Sequence, residues 1–265
     1  MKSAVLICAL LGSAVLAFPV VREDAPRTAP PETVVVAPGD FRYRPAGQYR
    51  LDGRVVDPPA ETRGAATPLV IMRHQVSRAE YARCVADDAC APAPAPGQEG
   101  YAQPQTGVSW QDATAYADWL SERTGQDWRL PTDAEWVRAA AERAVDEGLE
   151  TAGSDPAARW LAQYGQNVDR RAGPDLEVRP QGAFGVNSNG LADMAGNVWE
   201  WTSTCSRKIE LAADGARLSD HAFCGVRVVQ GQHRAEIVDF VRDARAGGCA
   251  VGLPPDHLGF RLVLG

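Results

Sequence analysis

Hydrophobic positions are spread unevenly along the chain, and their spacing marks out its elements. Residues 4–17 form an apolar run, and residues 18–34 (FPVVREDAPRTAPPETV) hold too much proline and charge to build a core. Short strand-like runs follow at 34–36, ahead of the turn signal Pro38-Gly39, at 41–44 in apolar–polar alternation, and at 67–76. Three helix starts then share one signature. Ser77 with Glu80, Ser109 with Asp112, and Thr132 with Glu135 each set a hydroxyl three residues before a carboxylate, the spacing at which both side chains satisfy N–H groups that a first turn leaves unpaired. The second helix places Trp110, Ala113, Ala117 and Leu120 on one face and is predicted to stop at Thr124-Gly125, where glycine supplies a left-handed cap. Residues 91–100 (APAPAPGQEG) are too rich in proline for a helix or a central strand and read as a surface loop. Beyond Glu150 no helix is as clear. From Arg179 onward Gly, Asn and Pro punctuate short apolar runs such as 258–264, few of them in clean alternation. There is no internal repeat, and the pattern predicts an α+β fold with much irregular structure.

The amino terminus sets the compartment. Met1 and Lys2 precede the apolar run, and Val15 and Ala17 hold the small-residue positions ahead of a signal-peptidase cut. Residues 1–17 are therefore predicted to be a cleaved secretory signal, and 18–34 a mobile leader. The run is shorter than the ~20 residues a spanning helix needs, and Pro19 follows at once. Cys8 lies inside it, too early for a lipid attachment site. No second run of membrane length follows, so the mature protein is expected to be periplasmic or secreted, with no membrane partner after cleavage. With 27 Lys+Arg against 34 Asp+Glu the net charge is −7, and no basic cluster is long enough to track a phosphate backbone. A nucleic-acid partner is not expected. Residues 35–265 are enough for one domain with its own core.

An oxidising compartment changes how the cysteines read. Removal of the signal leaves Cys84, Cys90, Cys205, Cys224 and Cys249. Cys84 and Cys90 are close enough to bridge across a helix end. Cys205, Cys224 and Cys249 supply one more bridge and one free thiol, and the spacing does not say which two pair. No pair has C-x-x-C spacing, which gives no support to a thioredoxin-like redox motif or a zinc ribbon. Gly-x-Ser-x-Gly, a phosphate loop and His-Glu-x-x-His are absent as well, so hydrolase, nucleotide and metalloprotease readings have no support. His233 and Glu236 have the i, i+3 spacing of one helical face, a two-ligand start to a metal site; the simpler reading is a solvated charged face shared with Arg234.

Three stretches are more specific. VSWQDA at 108–113 leads to WRLPTDAEW at 128–136, NGLADMAGNVWEWT spans 189–202, and LGFRLV at 258–263 comes near the end. In order and spacing they resemble the sulfatase-modifying-factor family, which has the fold of the formylglycine-generating enzymes, from about residue 35 to 265. The resemblance implies a single compact α+β domain, low in regular secondary structure and related to C-type lectin domains. It also implies a structural calcium ion, held through the residues matching Asp193, Gly196, Val198 and Glu200, the middle two by their carbonyls. That donor mixture, carboxylates and carbonyls from a glycine-containing turn, suits a hard cation. A second family calcium loop is matched only at its start, by Asn167 and Val168. Trp110, Trp136, Trp199 and Trp201 are expected to pack in the core rather than to stack on a ligand.

The catalytic residues are the decisive point. In the formylglycine-generating members of the family two cysteines about five residues apart bind copper and activate oxygen, thiolate being the ligand type that Cu(I) favours. The positions that align with them here hold roughly Glu236 and Val241, and neither replaces a thiolate. Cys249 is the one cysteine between Gly231 and Arg261. Relatives that use iron bind it through histidines of an additional domain, whereas this sequence offers His74, His221, His233 and His257. Neither copper nor iron is supported, and formylglycine formation is disfavoured. One expectation is an exported accessory or maturation factor that binds a polypeptide or small-ligand client in the groove used for the sulfatase peptide, similar to nitrite-reductase accessory proteins. The other is a metal- and oxygen-dependent oxidoreductase that modifies a peptide or peptide-derived metabolite. A free Cys249 facing a pocket favours the second.

Overall fold

The computed structural model describes residues 29–93, 100, 102–146, 161, 165, 177–247 and 257–265. Residues 1–17, most of 18–34, the pair Asn167 and Val168, and Cys249 lie outside the described residues. Strands Thr33–Val36 (β1), Leu69–Met72 (β6), Val263–Leu264 (β12) and Trp128–Arg129 (β7) make one sheet in that order. β1 starts at Thr33, inside the stretch read as leader, because Thr33 and Val34 pair with Met72 and Ile71. Gly39–Tyr43 (β2) and Glu61–Ala65 (β5) form a separate antiparallel pair. The largest sheet runs Ala235–Val238 (β10), Arg217–Gln230 (β9), Trp199–Leu211 (β8), Gln48–Leu51 (β3) and Arg54–Val56 (β4), with Leu258–Gly259 (β11) parallel to the start of β8.

Helices Arg78–Ala86 (α1), Trp110–Thr124 (α2) and Asp133–Ala140 (α3) begin at the three capping boxes. In each, the N-cap hydroxyl accepts from the N3 amide and the N3 carboxylate accepts from the N-cap amide. Gly125 closes α2 with a φ of 71°, as its sequence predicts. The helices divide the interior into two cores. α1 and α2 bury Tyr81, Tyr116 and Trp119 with Trp201 and Phe260, while α3 lays Trp136 against Ile71, Leu191 and Val263. Phe260 and Ile71 are fully buried, each contributing about 1.5–3 kcal/mol relative to exposure. The four tryptophans pack as expected, and every indole N–H has an acceptor. Trp110, Trp199 and Trp201 donate to the carbonyls of Thr202, His233 and Val108, and Trp136 to Glu200.

Two regions depart from the sequence reading. β8 and β9 are strands of 13 and 14 residues in a stretch that shows only short apolar runs. Register shifts after Trp201, after Cys205 and before Leu211 break the alternation, and the outer half of β9 is largely exposed, so apolar residues are not required at every second position. The strands are tied by a Cys205–Cys224 disulfide, and Cys84–Cys90 ties the end of α1 to the following loop. The second departure is at His233 and Glu236. Residues 235–238 are strand and His233 lies in the bend before it, so no helical face joins the two residues. His233 is 2% exposed and packs edge-on against Trp199, with centroids 5.2 Å apart. Neither a shared metal face nor a solvated charged face describes the pair. Among the described residues no helix is long and apolar enough to cross a membrane.

Candidate functional site

Asp193, Gly196, Val198 and Glu200 lie in and just after a tight turn that leads into β8. Asp193, Ala195 and Asn197 take left-handed φ angles of 57°, 56° and 63°. Asp and Asn tolerate this region; for Ala195 it is strained and must be held by the surroundings. The curl aims the carbonyls of Asp193 and Gly196 at one group, Nε2 of Gln75, 3.4 Å from each. Position 196 requires glycine for space, since a Cβ there would stand 3.0 Å from Cβ of Phe184. The Asp193 carboxylate is 1% exposed and accepts from the amides of Gly182 at 2.6 Å and Phe184 at 2.8 Å.

Glu200, also 1% exposed, accepts four N–H groups. Its Oε1 accepts from Gln75 Nε2 at 2.8 Å and Arg261 Nη2 at 2.7 Å; its Oε2 accepts from Trp136 Nε1 at 2.9 Å and Arg261 Nε at 2.7 Å. Arg261 has no exposed surface and donates further to the carbonyls of Arg73 and Ala192, each at 3.0 Å. A carboxylate has about four lone-pair positions, and all of those on Glu200 are occupied. Calcium takes about six to eight oxygens. Here Glu200 could join such a shell only by giving up N–H partners beside a buried guanidinium, and the carbonyls of Asp193 and Gly196 already face an amide nitrogen. As arranged, these residues do not fit a calcium ion. Among the described residues no group of three or more His, Cys, Asp or Glu is placed to hold a metal.

A cavity of about 960 Å³ opens elsewhere, between β2, the segments around Gln48 and Asp57, α3 with the turn after it, and the start of β10. Its wall carries both signs of charge. Arg44 pairs with Asp146 at 2.6 Å, and Arg138 donates to the carbonyls of Ala37 and Thr67 at 2.8 Å. Arg234 and Glu236 enter it two residues apart, on the same side of the chain. Arg234 is anchored through Nη2 to Asp133 Oδ2 at 3.0 Å, while its Nε is buried without a hydrogen-bond partner. Asp133 is fully buried; the same oxygen accepts from the Tyr43 hydroxyl at 2.7 Å, its Oδ1 accepts from Gln230, and its amide donates to Thr204 Oγ1 at 2.8 Å. Burial, and then the Asp133 charge, push the Tyr43 phenol far above its ordinary value.

Glu236 is half-buried, and burial raises its carboxyl above the ordinary 4.5, against the opposing hydrogen bonds from Ser206 and Gln48 and the charge of Arg234. Because the folded protein holds this proton more tightly than the unfolded chain, stability falls as the pH rises from about 4.5 toward the folded value. The wall thus offers an anchored guanidinium and a carboxyl side by side, groups able to hydrogen-bond polar atoms of a ligand. Glu236 lines the cavity, while Val241 packs against the first core.

Gln75, Arg261, Tyr43, Asp133 and Arg234 carry no signal in the sequence as site residues. Asp133 is masked by the capping box around it, and Gln75 by the helix start two residues on. Asp133 and Arg261 do stand in the specific stretches, and for Arg261 a charged residue inside an apolar ending is the cue that marks it as buried and paired.

A sequence profile for the sulfatase-modifying factor enzyme 1-like domain matches residues 18–265. A formylglycine-generating enzyme of Streptomyces coelicolor is 39% identical over 107 residues, 38% of this chain and 32% of that protein. The protein named inactive C-alpha-formylglycine-generating enzyme 2 of Bos taurus is 30% identical over 171 residues, 61% of this chain and 50% of its own length. Among solved structures, PvdO from Pseudomonas aeruginosa superposes with a TM-score of 0.55 at 24% identity, covering 88% of this chain and 94% of that one. The chain spans about a third of the length of the bacterial formylglycine-generating enzymes it matches.

Proposed function

The chain belongs to the sulfatase-modifying factor enzyme 1-like domain family, and from that membership we propose that it is an exported accessory or maturation factor, holding a polypeptide or small-ligand client and lacking formylglycine-generating activity. The observation that carries this reading is the wall at Glu236. In the segment where the resemblance implies the family's cysteines, roughly at Glu236 and Val241, the Glu236 carboxyl beside an anchored Arg234 faces a cavity of about 960 Å³. Copper-dependent oxygen activation has no thiolate pair to use at these positions, whereas a charged, hydrogen-bonding cavity of this size suits a peptide segment or small ligand. The relative from Bos taurus, named as inactive, supports the fold's use without the activity. The two disulfides suit an oxidising compartment, to which residues 1–17 direct the chain. One observation favours the alternative, an oxidoreductase acting on a peptide or peptide-derived metabolite: a titratable carboxyl, Glu236, lines the cavity, the residue type that general acid–base chemistry uses.

The test is retention of a client by the protein produced in an oxidising compartment among the exported proteins of its host. Glu236→Arg, checked for an unchanged thermal midpoint, is expected to lose about tenfold or more of what the wild type retains, the effect of ~1.4 kcal/mol at one contact. Equal retention by the folded variant, or no retention by the wild type, would overturn the reading.

A further inference from the structure

We propose that the turn at 193–200 is closed by the side-chain amide of Gln75 and the guanidinium of Arg261 in place of a metal ion, so that folding of this chain is independent of calcium. The inference is separate from the client-binding reading and survives its failure.

Gln75 is fully buried, and its Nε2 stands at the point on which three oxygens converge: Glu200 Oε1 at 2.8 Å, and the carbonyls of Asp193 and Gly196 at 3.4 Å. Its Oε1 is buried with no hydrogen-bond partner. The two ways of turning this amide have opposite consequences. With nitrogen inward, its two N–H groups are shared among three acceptors, and one carbonyl oxygen is orphaned. With oxygen inward, four oxygens would face one another, which only a cation could hold together. The atom at the centre and the presence of a cation are therefore one question.

The charges around the turn answer it. Asp193 and Glu200 bring two negative charges; Arg261 neutralises Glu200 through two N–H contacts of 2.7 Å, and the amides of Gly182 and Phe184 stabilise Asp193. A dication sharing Glu200 would lie one carboxylate away from the Arg261 guanidinium, and with Glu200 at 1% and Arg261 at 0% exposure the repulsion between the two like charges is little screened. With the nitrogen inward, the one negative charge that Arg261 does not match is that of Asp193, and the amides of Gly182 and Phe184 hold it by hydrogen bonds. Position 75 is also held from behind, since its backbone carbonyl accepts from the Gln181 side chain. A carboxylate at this position would remove the donor, add a negative charge facing Glu200, and create the need for a cation.

The experiment compares the wild type and Gln75→Glu after exchange into calcium-containing and EGTA-containing buffer, by elemental analysis and by thermal midpoint. The wild type is expected to carry well below one equivalent of calcium and to melt within about 1 °C under the two conditions. Gln75→Glu is expected to melt several degrees lower in EGTA and to regain stability with calcium. About one equivalent of calcium in the wild type, with a midpoint that drops in EGTA, would overturn the proposal and place Gln75 Oε1 among the ligands. Gln75→Glu as stable as the wild type in EGTA would overturn it too. If Gln75→Glu folds under neither condition, the wild-type comparison decides.

Discussion

Arg261→Met is expected to destabilise the protein by about 3–5 kcal/mol, the range found when one partner of a buried ion pair is removed. Methionine fills much of the same volume, so the loss is electrostatic. The substitution leaves Glu200, at 1% exposure, with only Gln75 and Trp136 as donors, and the carbonyls of Arg73 and Ala192 lose theirs. Against a total stability of about 5–15 kcal/mol, such a loss leaves little margin at 37 °C. The double variant Arg261→Met with Glu200→Gln should lose less than the single one, because it leaves no buried charge without a counter-charge. Urea unfolding measures both. A loss below about 1 kcal/mol for Arg261→Met would mean that a second positive charge lies at Glu200, contrary to the closure by Gln75 and Arg261.

Asp133→Ala is the second large effect, expected at roughly 3 kcal/mol or more. The substitution strips acceptors from Tyr43 and Gln230, and takes the counter-charge from Arg234, whose side chain is 23% exposed. Partial exposure of Arg234 lets water recover some of that loss, so the orphaned Tyr43 hydroxyl accounts for much of it. Arg234 is also freed from its position on the cavity wall. Asp133→Asn, which retains the shape and an acceptor, should cost less in stability yet loosen Arg234 to a similar extent. Chemical denaturation of both variants, read beside their retention of client, separates stability from placement of the guanidinium. A stable Asp133→Ala protein with undiminished retention would remove Asp133 and Arg234 from the account of the cavity.

Local signals were legible in the sequence and distant ones were not. Each capping box involves residues three apart, and the hydroxyl–carboxylate spacing at Ser77, Ser109 and Thr132 was enough to place three helix starts correctly. The family resemblance likewise rests on contiguous stretches, which are confirmed by a profile that covers residues 18–265. The long β8–β9 pair was not legible because its register shifts interrupt the period of two and its far end is solvated. The Cys205–Cys224 bridge follows from that pairing and was open for the same reason. Tyr43 and Asp133 meet across 90 positions, Gln75 and Glu200 across 125. No spacing rule reaches so far, and only the packed fold shows that both oxygens of Glu200 are filled by nitrogen donors. Glu236 lines the cavity, which no spacing predicts, and the helical spacing from His233 to Glu236 fails because the chain enters a strand at Ala235.

The use of this fold without cysteine-pair chemistry is tested most directly by incubating the protein with a sulfatase-type cysteine peptide, copper and oxygen, with the Streptomyces coelicolor relative as positive control. The product is followed by peptide mass and by trapping of the aldehyde. The peptide is expected to remain a thiol with this protein while the control converts it. Turnover to the aldehyde would contradict the account, because Glu236 and Val241 supply no thiolate and the chemistry would have to come from another centre in the chain.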